Sequence, residues 1–173
     1  NGGSSTLDVN VISATAWNGT GTVFNAGTGT VNFVAAGNQT LSASATTFYN
    51  LTFSNSGTKI LSSATVANGT LTINGGVTLA TGGNALTLGG DFVKTGTFTA
   101  LSSAITITGT ATQSIDGFTT TGLVSMTKSA GTATFMGNVN GAGLTINGSG
   151  TGTLDLGASL THTFSGIVTL SGG

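Results

Sequence analysis

Leu71-Thr72-Ile73-Asn74-Gly75 recurs letter for letter at Leu144-Thr145-Ile146-Asn147-Gly148, 73 positions on. The neighbourhood recurs too: Val66-Ala67-Asn68-Gly69 precedes the first copy and Val139-Asn140-Gly141-Ala142-Gly143 the second. Working outward, Leu51-Thr52-Phe53 answers to Val124-Ser125-Met126 at the same offset. Val31-Asn32-Phe33 answers to Ile105-Thr106-Ile107 at 74, as Asn38-Gln39-Thr40-Leu41 does to Thr112-Gln113-Ser114-Ile115 and Phe24 to Phe98. A one-residue drift is what insertions at turns produce. A long internal period filled with short Thr-rich segments is the signature of a stacked β array. The offset divides the chain into two diverged copies, 26–98 and 99–173, in one continuous solenoid. Residues 1–25 read as the tail of a preceding copy, on partial matches such as Thr20-Gly21-Thr22 with Thr95-Gly96-Thr97.

The segments themselves read as strands. Apolar residues come in dyads two apart, such as Val31/Phe33, Leu51/Phe53, Leu86/Leu88 and Leu154/Leu156, with Thr or Asn often between them. Period two buries one face of a strand and turns the other outward, and β-branched Thr suits the outward pleat. Glu and Arg are absent and Lys occurs three times, so good helix formers are scarce. Asn-Gly and Gly-Gly pairs punctuate the chain about every ten residues, where positive φ is tolerated. Two architectures satisfy this pattern: a parallel β-solenoid, or β-helix, and an antiparallel β-sandwich of hairpins. The long repeat favours the solenoid, in which equivalent residues would stack into ladders along the axis.

Composition excludes several functions. Only 4% of the 173 residues are charged and the formal net charge is −1, so there is no basic footprint for nucleic acid. With 38% hydrophobic residues in ordered dyads, the chain still has the means to fold. Zero cysteines remove disulfides, thiolate metal sites and cysteine nucleophiles. No apolar run approaches the ~20 residues of a membrane span, so no membrane insertion is expected.

The run Thr47-Phe48-Tyr49-Asn50-Leu51-Thr52-Phe53, followed by Val66-Ala67-Asn68-Gly69-Thr70-Leu71-Thr72 and Asn84-Ala85-Leu86-Thr87-Leu88-Gly89-Gly90, resembles the β-strand repeats of large secreted bacterial surface proteins of adhesin type. The resemblance covers most of residues 24–171 and is strongest over 46–98. It implies an extracellular or cell-surface location in a bacterium and a structural or adhesive role. It brings no catalytic residues.

No side-chain set points to chemistry. Asp8, Asp91, Asp116 and Asp155 are the only carboxylates; they are scattered, and none recurs in the other copy. Acid–base work on a polysaccharide needs clustered carboxylates, so no enzyme and no catalytic residue is expected. Gly89-Gly90-Asp91 is a lone fragment of the calcium-binding Gly-Gly-x-Gly-x-Asp rhythm, and His162 lacks a second His or any Cys, so neither metal nor cofactor is expected. His162 reads as an exposed strand residue. Asn-x-Ser/Thr triplets at Asn18, Asn38, Asn50, Asn68 and Asn147 fall mostly in turn and strand contexts. Thr-x-Thr pairs such as Thr70/Thr72, Thr106/Thr108 and Thr161/Thr163 admit an ice-binding face as a lesser alternative. Their irregular spacing counts against one pair per coil.

The ends carry the functional expectation. A solenoid presents unpaired strand edges at both ends unless something caps them. There is no proline or helical cap here, and Leu7 to Ile12 and Ile167 to Leu170 are strand-like. Little charge opposes self-association. The expected function is a structural filament subunit joined head to tail by strand pairing and core continuation. The junction residues are Leu7, Val9, Val11 and Ile12 at one end and Ile167, Val168 and Leu170 at the other. The expected partner is another copy of the chain, with cell-surface polysaccharide a further candidate. The alternative is a stalk or adhesive module of a giant surface protein.

Overall fold

A computed structural model describes residues 5–21, 23–44, 46–148 and 150–171. Parts of the sequence reading that touch Asn1 to Ser4, Thr22, Ala45, Ser149, Gly172 or Gly173 lie outside the described residues. The chain winds through about eight coils of strand, with no helix among the described residues. Strands β1 (Thr6–Val9) and β2 (Ser13–Asn18) form an incomplete first coil. The second has β3 (Thr30–Phe33), β4 (Gln39–Ser42) and β5 (Thr47–Phe48); the third has β6 (Asn50–Phe53), β7 (Gly57–Leu61) and β8 (Thr65–Ala67). Next come β9 (Leu71–Ile73), β10 (Val77–Ala80) and β11 (Leu86–Leu88), then β12 (Phe92–Lys94), β13 (Thr97–Thr99) and β14 (Ile105–Ile107). The sixth coil has β15 (Gln113–Ile115), β16 (Phe118–Thr119) and β17 (Leu123–Met126). The last two have β18 (Thr132–Phe135), β19 (Val139–Gly141) and β20 (Gly143–Ile146), then β21 (Thr153–Asp155), β22 (Thr163–Phe164) and β23 (Val168–Leu170).

Every registered strand pair is parallel, so the solenoid holds and the antiparallel sandwich does not. The coils make three faces. The first is an eight-stranded sheet from β1 to β21, and the third a seven-stranded sheet from β5 to β23. The second face is broken: β2, β4, β7, β10 and β13 form one sheet, and β16, β19 and β22 another.

Register turns the dyads into columns. On the first face Leu7, Val31, Leu51, Leu71, Phe92, Ile115 and Phe135 stand in line, flanked by Val9, Phe33, Phe53 and Ile73. Phe33 and Phe53 stack with ring centroids 5.4 Å apart. On the third face Phe48, Ala67, Leu88, Ile107, Met126, Ile146 and Leu170 make another column. Each large apolar side chain so enclosed contributes about 1.5–3 kcal/mol from burial.

The coil is shorter than the sequence period. From Val31 to Leu51 to Leu71 is 20 residues each time, then 21 to Phe92, 23 to Ile115 and 20 to Phe135. The two identical pentapeptides therefore do not stack. Leu71 lies in β9 on the first face and Leu144 in β20 on the third. Val31 and Ile105 are displaced in the same way, as are Leu51 and Val124, while Gln39 is on the second face and Gln113 on the first. An offset of 73 is three coils plus two faces. The expected ladders between the copies are absent because all three faces make the same demand, inward–polar–inward, and a copy displaced by a face satisfies it equally well. The copy boundary at 98/99 falls inside β13.

Candidate functional site at the open ends of the coil

At the far end, among the described residues, β21, β22 and β23 each pair only with the preceding coil. The Leu144 N–H donates to the Ile167 carbonyl at 3.2 Å and the Ser171 N–H to the Ile146 carbonyl at 2.9 Å. Odd-numbered residues of β23 therefore point their backbone groups inward, and Val168 and Leu170 turn theirs to the open edge. Side chains agree: Ile167 is 80% exposed, Leu170 75%, and Val168 is also exposed. Leu156, one residue beyond the registered pair Thr134–Asp155, extends the Leu7-to-Phe135 column and is exposed as well. The sequence reading missed it, although the dyad Leu154/Leu156 pointed there.

The near end differs between faces. On β1, Leu7 is exposed and Val9 half-buried; Val11 and the 65%-exposed Ile12 follow it in the link to β2. The edges of β1 and β2 are open among the described residues. The third face begins at β5, whose Phe48 is fully buried. Trp17 packs edge-on to Phe24 at 5.0 Å and against Phe48 at 5.3 Å, and its Nε1 donates to Thr46 Oγ1 at 3.4 Å. An aromatic plug thus covers the core at this corner. Of the seven expected junction residues, Leu7 and Val9 lie in β1, Val11 and Ile12 follow it, and Ile167, Val168 and Leu170 lie in or beside β23.

The four carboxylates belong to the first face but stay scattered along it, over the first, fifth, sixth and eighth coils. Asp8 is in β1 and Asp155 in β21, Asp91 immediately precedes β12 and Asp116 immediately follows β15. Asp91 Oδ1 accepts the Ser114 N–H at 2.8 Å, and Asp116 Oδ2 accepts the Lys94 N–H at 2.7 Å. These two reciprocal clamps join β12 to β15, a pair with a single registered partner, Phe92–Ile115. Among the described residues no group of three His, Cys, Asp or Glu could hold a metal.

His162 does not sit on the outward phase. Period two puts it with Leu160 and Phe164, which pack on the core. Its Nδ1 accepts the Val139 N–H at 3.0 Å, so Nε2 carries the proton toward the Leu156 carbonyl at 2.8 Å. The ring lies 5.1 Å from Phe135.

Two lysines are buried, which the sequence reading did not anticipate. Lys59 is 0% exposed, and its Nζ donates to the Ala35 and Gly37 carbonyls at 2.6 and 3.0 Å and to Gln39 Oε1 at 2.8 Å. Gln39 passes the network on through Nε2 to the Val9 and Val11 carbonyls, at 2.8 and 3.0 Å. Lys128, also 0% exposed, repeats the arrangement with the Ala111 carbonyl and Gln113 Oε1. Gln113 Nε2 donates to the Gly90 carbonyl at 2.7 Å. Burial pushes both ammonium groups below their ordinary value of 10.5. The signal available in sequence was Gln39 and Gln113 standing in core phase beside Leu41 and Ile115.

No family model, curated protein or solved structure matches this chain.

Proposed function

We propose that this chain is a structural β-solenoid whose strands and core continue across its ends into another solenoid unit. The single supporting observation is the set of exposed, strand-edge apolar residues at both ends: Leu7 and Ile12 on one side, Leu156, Val168 and Leu170 on the other. A head-to-tail contact of this kind does not close into a ring and builds a filament. Pairing runs through the first and second faces, where β1 and β2 are open. The third face meets the Trp17–Phe24 plug and makes a packing contact instead. An extracellular or bacterial cell-surface setting and the stalk or adhesive module of a giant surface protein use the same end geometry. Imaging the purified chain by negative stain tests the reading: fibres with a regular axial repeat are expected, and isolated short rods at every concentration would overturn it in favour of the stalk.

One observation favours ice binding as a second reading. Thr47, Val66, Thr87, Thr106, Ser125, Thr145 and Thr169 form one outward column on the third face. Spacing irregular in sequence becomes straight in space, because extra residues fall at the corners. Hydroxyls at the ~4.8 Å strand spacing, in this column interrupted once by Val66, can order water. Measurable thermal hysteresis that disappears in Thr106→Lys supports this reading, and none in the parent chain ends it.

A further inference from the structure

The inward column Val9, Phe33, Phe53, Ile73 on the first face ends at Lys94, which is paired with Ile73. Two residues on from Ile115 and Phe135, the next positions are Gly117 and Gly137. Large apolar side chains give way to a lysine and two glycines. A Cβ at Gly117 would meet the Asn138 backbone at 2.7 Å and one at Gly137 the Gly117 backbone at 3.0 Å, so the coils close up there and bare backbone forms part of the wall. The break in the second face falls at the same place, since β13 and β16 do not pair. The result is a groove of about 640 Å³ lined by Lys94, Phe98, Asp116, Phe118, Met136 and Asn138, among others.

We infer that this groove binds a neutral, polyhydroxylated chain, that is, an uncharged oligosaccharide. Its two charged side chains, Lys94 and Asp116, cancel, which disfavours a polyanion or a polycation. The Lys94 ammonium has no hydrogen bond among the described residues. Asp116 commits Oδ2 to the Lys94 N–H and leaves Oδ1 unpartnered. Asn138 accepts the Thr161 N–H at 3.0 Å through Oδ1 and keeps its amide NH2 as a donor. Donors and acceptors thus stand side by side, as sugar hydroxyls require, since each hydroxyl both gives and takes a hydrogen bond. Met136, 58% exposed, and the half-buried Phe98 supply an apolar surface for the C–H face of a sugar ring. Three coils span the groove, about 10 Å of axis, enough for more than one ring.

The test is calorimetric titration of the whole chain with cellohexaose, chitohexaose and maltohexaose, with hexagalacturonate as the anionic comparison. At least one neutral probe is expected to bind. Asp116→Asn, which keeps an oxygen for the Lys94 N–H, and Lys94→Met should each weaken binding about tenfold or more. Thr106→Ala on the third face should leave it unchanged. Thermal melts matching the parent chain confirm that the variants are folded. No binding of any neutral probe, equal binding by the variants, or tighter binding of hexagalacturonate would each overturn the assignment. Short rods and fibres expose the same groove, so loss of assembly and loss of sugar binding are separate results.

Discussion

Lys59 stands in the second-face column Gln39–Lys59–Leu79–Phe98, where an apolar residue would be the ordinary choice. Its ammonium is desolvated and met only by neutral oxygens, so it is tolerated because three acceptors converge on it. Lys59→Met fits the volume but removes this donor: the Ala35 carbonyl keeps the Gly37 N–H and Gln39 Oε1 keeps the Ala35 N–H, while the Gly37 carbonyl loses Nζ. A loss of about 2–4 kcal/mol is expected, measured by chemical denaturation. Stability should also depend on pH with a defined sign. A lysine lowered in the fold holds fewer protons there than in the unfolded chain, so stability rises with pH. The penalty is full below the folded-state value and gone above 10.5. The denaturation midpoint should therefore climb as pH rises toward 10.5 and do so less in Lys59→Met; a flat profile would show that the carbonyls fully compensate the burial.

At the scale of the strand and its corners, the sequence was most legible where period two speaks alone. Dyads such as Leu71/Ile73 and Leu86/Leu88 are the inward pairs of β9 and β11, fully or almost fully buried. The parallel architecture was legible from the repeat, but the coil length was not. Faces with identical demands let the copies slip by a face, so a 73-residue match said nothing about which residues stack. The buried lysines were hidden because Ile60, apolar, points outward beside Lys59 and blurs the phase. The groove was hidden because it lies where the second face breaks and coils approach closely at Gly117 and Gly137, and a glycine in a Gly-rich chain carries little signal. Corners hold their own prediction. Gly57 has φ +84° and a Cβ there would lie 2.6 Å from the Gly37 backbone. Gly57→Ala should cost about 1–3 kcal/mol, read from the denaturation midpoint. Gly21, with φ +85° but open space around it, separates the conformational part from the clash, and Gly21→Ala should cost less.

At the scale of the whole molecule, the ends decide between a finite rod and a polymer. Assembly by strand addition depends on backbone donors at the open edge of the first face, where Thr153 of β21 bonds back to the Gly131 carbonyl and Leu154 and Leu156 turn their N–H groups outward. Leu156→Pro removes one such N–H, while the Thr153 bond that holds β21 to β18 survives. The variant should keep the parent's melting temperature within a few degrees and stop forming fibres. Ionic strength gives an independent check. The exposed charges on the strands to be joined, Asp8 in β1 and Asp155 in β21, are of like sign, so salt screens only a weak repulsion and removes no attraction. Light scattering should change little from low salt to about 1 M. Fibres that dissolve steeply with salt, or that persist unchanged in Leu156→Pro, would mean that the subunits meet through their sides rather than through continued β ladders.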